Sequence, residues 1–143
     1  MSNFVPETPT DFGPVLDNFT PTDGDWLPLE SLLNRVFSRP VSSTEITAML
    51  RLFERFPTED GAEIFWSIVH GLEAVPGYES FLADSVRRVP SEFGVLMLGR
   101  LLNSGQREIA GTPISALLTS VQSSPNASSS AKRHAHNFQT RHA

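Results

Sequence analysis

Residues 49–57, MLRLFERFP, return as LADSVRRVP at 82–90 and as LLTSVQSSP at 117–125, with Pro57, Pro90 and Pro125 standing 33 and 35 residues apart. Eight residues before each proline sits Met49, Leu82 or Leu117, and four before it Phe53, Val86 or Val121. Apolar side chains four apart share one helix face. The proline then stops the helix, because it has no N–H and clashes with the preceding turn. Seven residues after each proline come Ile64, Met97 and Lys132, and eleven after it Ile68, Leu101 and His136. The first two copies agree. The third keeps its first helix and loses the apolar face of its second, as a terminal copy does when its outer side meets water. Short amphipathic helices can fall into such a register by accident, but this period lies in the range of helical solenoids.

Working outward, every segment from residue 28 onward reads as a short helix closed by Pro or Gly. Pro28 suits a first helical position, and Leu29, Leu32, Leu33, Val36 and Phe37 follow until Pro40. Ser43 is the expected cap of the next helix, with Ile46, Met49, Leu50 and Phe53 on its apolar face. Thr58 is the expected cap of the third, whose face is Ile64, Phe65, Ile68, Val69 and Leu72 before Pro76-Gly77. Phe81, Leu82, Val86 and Val89 mark a fourth helix. Ser91 caps a fifth with Phe93, Leu96, Met97, Leu101 and Leu102, stopped by Asn103-Ser104-Gly105. Ile114, Leu117, Leu118 and Val121 define a sixth, and Ala131, Ala135 and Phe138 a weak seventh. No strand pair is expected. The predicted fold is all-α: antiparallel helical hairpins stacked as a HEAT-like α-solenoid of about six to seven helices.

Residues 1–27 are rich in Pro, Thr and Asp and read as an N-terminal arm. Val5, Phe12, Val15, Leu16 and Phe19 are apolar enough to lie on the body, around one short turn at 13–18. Residues 28–143 read as a single helical-repeat domain whose C-terminal end is polar and weakly helical.

Composition narrows the function. Hydrophobic residues make up 39% and charged residues 19% of 143, a globular balance. There is no Cys, which removes disulfides, thiolate nucleophiles and Cys-ligated metals. Phe outnumbers Trp and Tyr by 10 to 2 and 1, favouring a packed interior over a base-stacking platform. The opening residues lack a basic stretch followed by an apolar run, so no secretory signal is expected and cytoplasm is the default. No stretch is apolar for long enough to span a membrane. The net charge is −5, unevenly spread: residues 1–73 carry 12 acidic and 4 basic side chains, residues 74–143 carry 4 and 7. An acidic front half repels nucleic acid and attracts a basic partner.

Few motifs carry chemistry. No Gly-x-Ser-x-Gly elbow or Gly-rich phosphate loop is present, and no cofactor is called for. His134 and His136 are two residues apart, on different helix faces, and with His142 read as solvated tail histidines, not metal ligands. His70 reads as a surface or rim residue. Glu59, Asp60 and Glu63 cluster where the first turn of a helix favours acids, although a small enzyme could use them with His70. Glu59, Glu63, Trp66, His70 and Glu73 follow each other by four, three, four and three residues, one stripe on a helix. An acidic stripe centred on Trp suits a partner-binding surface. Equally, Trp66 can lie against the preceding hairpin with the glutamates solvated. Glu59, Asp60, Glu63, Trp66, His70 and Glu73 are thus the candidate partner-binding residues, with neither catalytic nor metal ligands expected.

Residues 66–73 (WSIVHGLE), Tyr78-Glu79-Ser80, Pro90-Ser91-Glu92-Phe93 and 100–105 (RLLNSG) resemble small helical immunity proteins of bacterial polymorphic-toxin and contact-dependent growth inhibition systems. The resemblance covers about residues 45–140 and rests on helix-packing patterns. It implies a cytosolic protein that binds and blocks one cognate toxin domain, commonly a nuclease. It brings no catalytic residues with it. A non-catalytic helical-repeat adaptor in a larger assembly is the competing reading. The sequence leaves the oligomeric state open.

Overall fold

A computed structural model describes residues 11–143, so Val5 lies outside the described residues. The first described residues already belong to the body. Helix α1 (Gly13–Asn18) starts with Pro14 in its first turn and buries Leu16, next to the buried Phe12 that precedes the helix. Val15 is half exposed. Arg55 closes α1 by donating to the carbonyl of Leu16 at 3.0 Å, which also accepts from the Phe19 N–H, and to that of Phe19 at 2.7 Å, just past the helix end. A tight turn at Asp23-Gly24 leads to Trp26, which is buried, and to α2 (Leu27–Val36), with Leu29, Leu32, Leu33 and Val36 inside.

Helix α3 (Ser43–Arg55) is capped by Ser42, one residue before the expected Ser43. The Ser42 hydroxyl accepts from the Glu45 N–H, and the Glu45 carboxylate accepts from the Ser42 N–H, a reciprocal capping box. Glu45 is fully buried. Its other oxygen accepts from the Phe12 N–H at 2.8 Å and from Arg39 Nη2 at 3.1 Å. A single carboxylate therefore caps one helix and ties down the chain ahead of another.

The remaining helices are α4 (Phe65–Glu73), α5 (Tyr78–Arg88), α6 (Glu92–Asn103), α7 (Ile114–Ser123) and α8 (Ser129–Arg141). Ser91 caps α6 through the Gly94 N–H, and Ser128 caps α8 through the Ala131 N–H. The all-α class read from the sequence is the class observed. There are eight helices among the described residues, more than the six or seven expected, because both α1 and α8 are formed. The C-terminal end, expected to be weakly helical, is a 13-residue helix that buries Ala131 and Ala135.

One element has no counterpart in the sequence reading. Strands β1 (Glu108–Ile109) and β2 (Thr112–Pro113) form a minimal antiparallel hairpin where no strand pair was expected. Its turn residues Ala110 and Gly111 both have positive φ, 49° and 77°, the backbone of the tight turns that suit twisted hairpins. Ile109 is buried and Arg87 of α5 donates to Thr112, so the hairpin is held from the side. The Glu-Ile-Ala-Gly-Thr-Pro sequence is too short to show strand alternation.

Helices two apart in sequence are spatial neighbours. Contacts run α1 to α3, α3 to α5 and α5 to α7 in one row, and α2 to α4, α4 to α6 and α6 to α8 in the other. The repeat positions fall on matching places: Met49, Leu82 and Leu117, with Phe53, Val86 and Val121, are buried on α3, α5 and α7. Ile64, Ile68, Met97 and Leu101 are buried as well, whereas Lys132 is half-buried and His136 exposed. Between the rows lies an aromatic cluster. Phe53 and Phe65 are 5.1 Å apart, Phe53 and Phe93 5.4 Å, and Trp26 and Phe65 5.4 Å. Such pairs each contribute about 0.5–1.5 kcal/mol beyond their area burial.

Candidate functional site

The connection from α3 to α4 departs most from the sequence reading. Thr58 does not cap a helix; α4 begins at Phe65, is preceded by Ile64 and has no side-chain cap. Between them Gly61, Ala62 and Glu63 all have positive φ, at 58°, 54° and 72°. Three successive left-handed residues are incompatible with a right-handed helix. Each such residue carrying a Cβ costs roughly 1–2 kcal/mol. The turn is held by hydrogen bonds from Ile64 N–H to the Gly61 carbonyl, Phe65 N–H to Asp60 and Trp66 N–H to Glu63. It is also pinned to the neighbouring hairpin, since the Glu92 N–H donates to the Pro57 carbonyl at 2.9 Å. Gly61 is buried against the Phe65 ring, so a Cβ there would lie 2.8 Å from a ring carbon.

The proposed six-residue set therefore divides. Glu59, Asp60 and Glu63 are exposed on the loop and enter no ion pair among the described residues. They neither complement the dipole of α4 nor continue its stripe. Trp66, His70 and Glu73 do share one face of α4. Trp66 is half-buried; its ring meets Phe93 of α6 edge-on at 5.1 Å and stacks on His70 at 6.0 Å. Trp66 thus packs on the following hairpin, through Phe93, and still shows part of its ring. His70 is exposed, with Nδ1 3.8 Å from Glu73.

Glu73 is not a free acid. Arg100 of α6 grips it through Nε at 2.7 Å and Nη2 at 2.9 Å, a two-pronged bond across the row. The hydrogen bond to Glu73 raises the Arg100 pKa above its ordinary value. A matching clamp joins the other row, where Arg88 of α5 holds Glu54 of α3 at 3.1 and 2.9 Å. Neither pairing is legible in sequence, because the partners are 27 and 34 residues apart.

No hydrogen bond or ion pair among the described residues joins His70 to Glu59, Asp60 or Glu63, so the structure does not assemble those four groups. The tail histidines are not simply solvated. His134 Nε2 lies 3.3 Å from Glu92, which also accepts from Ser130, and His142 Nε2 lies 2.8 Å from Asn103 Oδ1. Only His136 of the three is exposed. Among the described residues no group of three or more potential ligands is placed to hold a metal ion, and no helix is long and apolar enough to cross a membrane.

Comparison of the chain with protein-family models, with curated proteins and with solved structures returns no match.

Proposed function

We propose that this chain is a non-catalytic binding protein whose α3–α4 loop receives a basic partner, and that the partner is a cognate toxin domain, first among them a nuclease. One observation carries the reading. Three exposed carboxylates with no ion-pair partner among the described residues, Glu59, Asp60 and Glu63, stand on the α3–α4 loop, whose backbone is left-handed from Gly61 to Glu63 just ahead of the Trp66–His70 stack in the chain. Backbone strain persists only where the surroundings over-determine it, and it concentrates at functional sites. A loop whose backbone is already held by hydrogen bonds saves ordering cost on binding, and the part-exposed Trp66 ring supplies apolar contact. Acidic charge of this kind speeds association with a basic nuclease and blocks a cleft built for phosphate. The resemblance to immunity proteins supplies the toxin assignment. The alternation of helix contacts supports a HEAT-like stack, and a cytoplasmic location accompanies the immunity role.

Co-expression with a basic nuclease domain encoded beside this gene tests the proposal. Reversing Glu59, Asp60 and Glu63 to Lys should lower the association rate about tenfold or more at low salt and flatten its salt dependence. Cells should then lose protection. Unchanged association would remove the loop from the interface. Binding of a basic protein without any protection would favour the adaptor.

A further inference from the structure

The end of α4, the start of α5 and the last turn of α6 enclose an open pocket of about 450 Å³, lined by Glu73, Tyr78, Arg100, Leu101, Asn103 and Ser104. Tyr78 is 5% exposed, and its hydroxyl makes no hydrogen bond among the described residues. No sealed side-chain nitrogen or oxygen lacks a partner among those residues, so the hydroxyl oxygen keeps some exposure, and Tyr78 lines this pocket. A buried tyrosine normally finds an internal acceptor.

The chemistry of the walls restricts what can enter. Arg100 uses Nε and Nη2 on Glu73 and leaves Nη1 over. Asn103 gives its Oδ1 to His142 and leaves its amide N–H groups over. Each Glu73 oxygen accepts one hydrogen bond from Arg100 and keeps a second lone pair. The pocket thus presents the donors of Tyr78, Arg100 and Asn103 beside the acceptor lone pairs of Ser104 Oγ, whose own proton goes to the Leu101 carbonyl, a set that the C=O and N–H of one amide match. Its charge is balanced by the Glu73–Arg100 pair, with Glu79 close enough to act on Tyr78, so a second anion gains nothing there. Leu101 adds an apolar wall. We propose that this pocket binds a neutral amide, a peptide carbonyl or a carboxamide, with the Tyr78 hydroxyl as the directing donor. Burial, then Glu73 and Glu79, push the Tyr78 pKa up to about 12, so the hydroxyl keeps its proton and stays a donor at physiological pH. The pocket shares Glu73 with the α4 face but needs none of Glu59, Asp60 or Glu63.

Isotope-labelled full chain titrated with N-acetylglycine methylamide, with acetate and phosphate in parallel, tests this by NMR. Saturable shifts are expected at the Asn103 side-chain amide, the Arg100 guanidinium and the Tyr78 ring. In Tyr78→Phe the affinity should fall about fivefold to tenfold, the size of one hydrogen bond, while Tm stays at the wild-type value or rises. Asn103→Ala should weaken the same shifts. Absence of saturable shifts, equal affinity in Tyr78→Phe, or preference for acetate or phosphate over the amide would each overturn the proposal. So would a Tm drop of several degrees in Tyr78→Phe, since the hydroxyl would then be serving the fold.

Discussion

At the residue scale, Tyr78 and Glu45 accommodate a buried polar group in opposite ways. Tyr78 lines a pocket with its hydroxyl unpaired among the described residues, and its phenolate is disfavoured. Its folded pKa is raised from 10.0 to about 12, so this stabilisation is complete below pH 10 and is lost as pH climbs toward about 12. It is the only tyrosine in the chain, so phenolate absorbance reads it alone. Urea midpoints of wild type should fall more steeply across that window than those of Tyr78→Phe; parallel profiles would contradict the shift. Glu45 takes three donors instead: the Phe12 and Ser42 N–H groups and Arg39. Glu45→Ala strands two backbone donors and one guanidinium. Its expected cost is about 2–4 kcal/mol, discounted because Arg39 still reaches water. The sequence places Glu45 three residues after Ser42, which is the signature of a capping box, yet nothing local announces its bond to Phe12.

At the element scale, helix α4 shows what the sequence reveals and what it hides. Ile64, Phe65, Ile68, Val69 and Leu72 are all buried, so the apolar face was readable from spacing alone. Its start was not. Thr58 followed by acids has the composition of a helix N-terminus, and only the backbone at Gly61, Ala62 and Glu63 contradicts it. That backbone is set by the buried Phe65 and Trp26 rings against Gly61, a tertiary constraint that local propensity does not carry. Two substitutions separate the causes. Gly61→Ala adds a Cβ where φ is positive and the rings leave no room, and should destabilise by about 1–3 kcal/mol. Ala62→Gly relieves left-handed strain at an exposed position and should stabilise by up to about 1 kcal/mol. Thermal melts of both distinguish a strained turn from a relaxed one, in which neither change would matter.

At the scale of the molecule, the second row of helices is joined through glycines. The Phe37 ring, at the end of α2, covers Gly71 of α4, and the Phe138 ring of α8 covers Gly99 of α6. A Cβ at either glycine would occupy the space of the ring. Gly99→Ala should therefore loosen α8 and cost about 1–3 kcal/mol, visible as a lower Tm with faster amide exchange in α8 than in α5. The proline-anchored repeat was legible because it records the buried positions of α3, α5 and α7. These sockets were not, since each pairs a glycine with a phenylalanine on a different hairpin.

The Phe12–Glu45 bond reaches across 33 residues, nearly one repeat, and fixes the chain ahead of α1 to the first turn of α3. Opening the first hairpin must break that bond, uncover a carboxylate and release Arg55 from the carbonyls of α1 together. Amides of α1 and of the first turn of α3 should therefore exchange with one shared opening free energy, and separate values for the two would show that these bonds do not couple them.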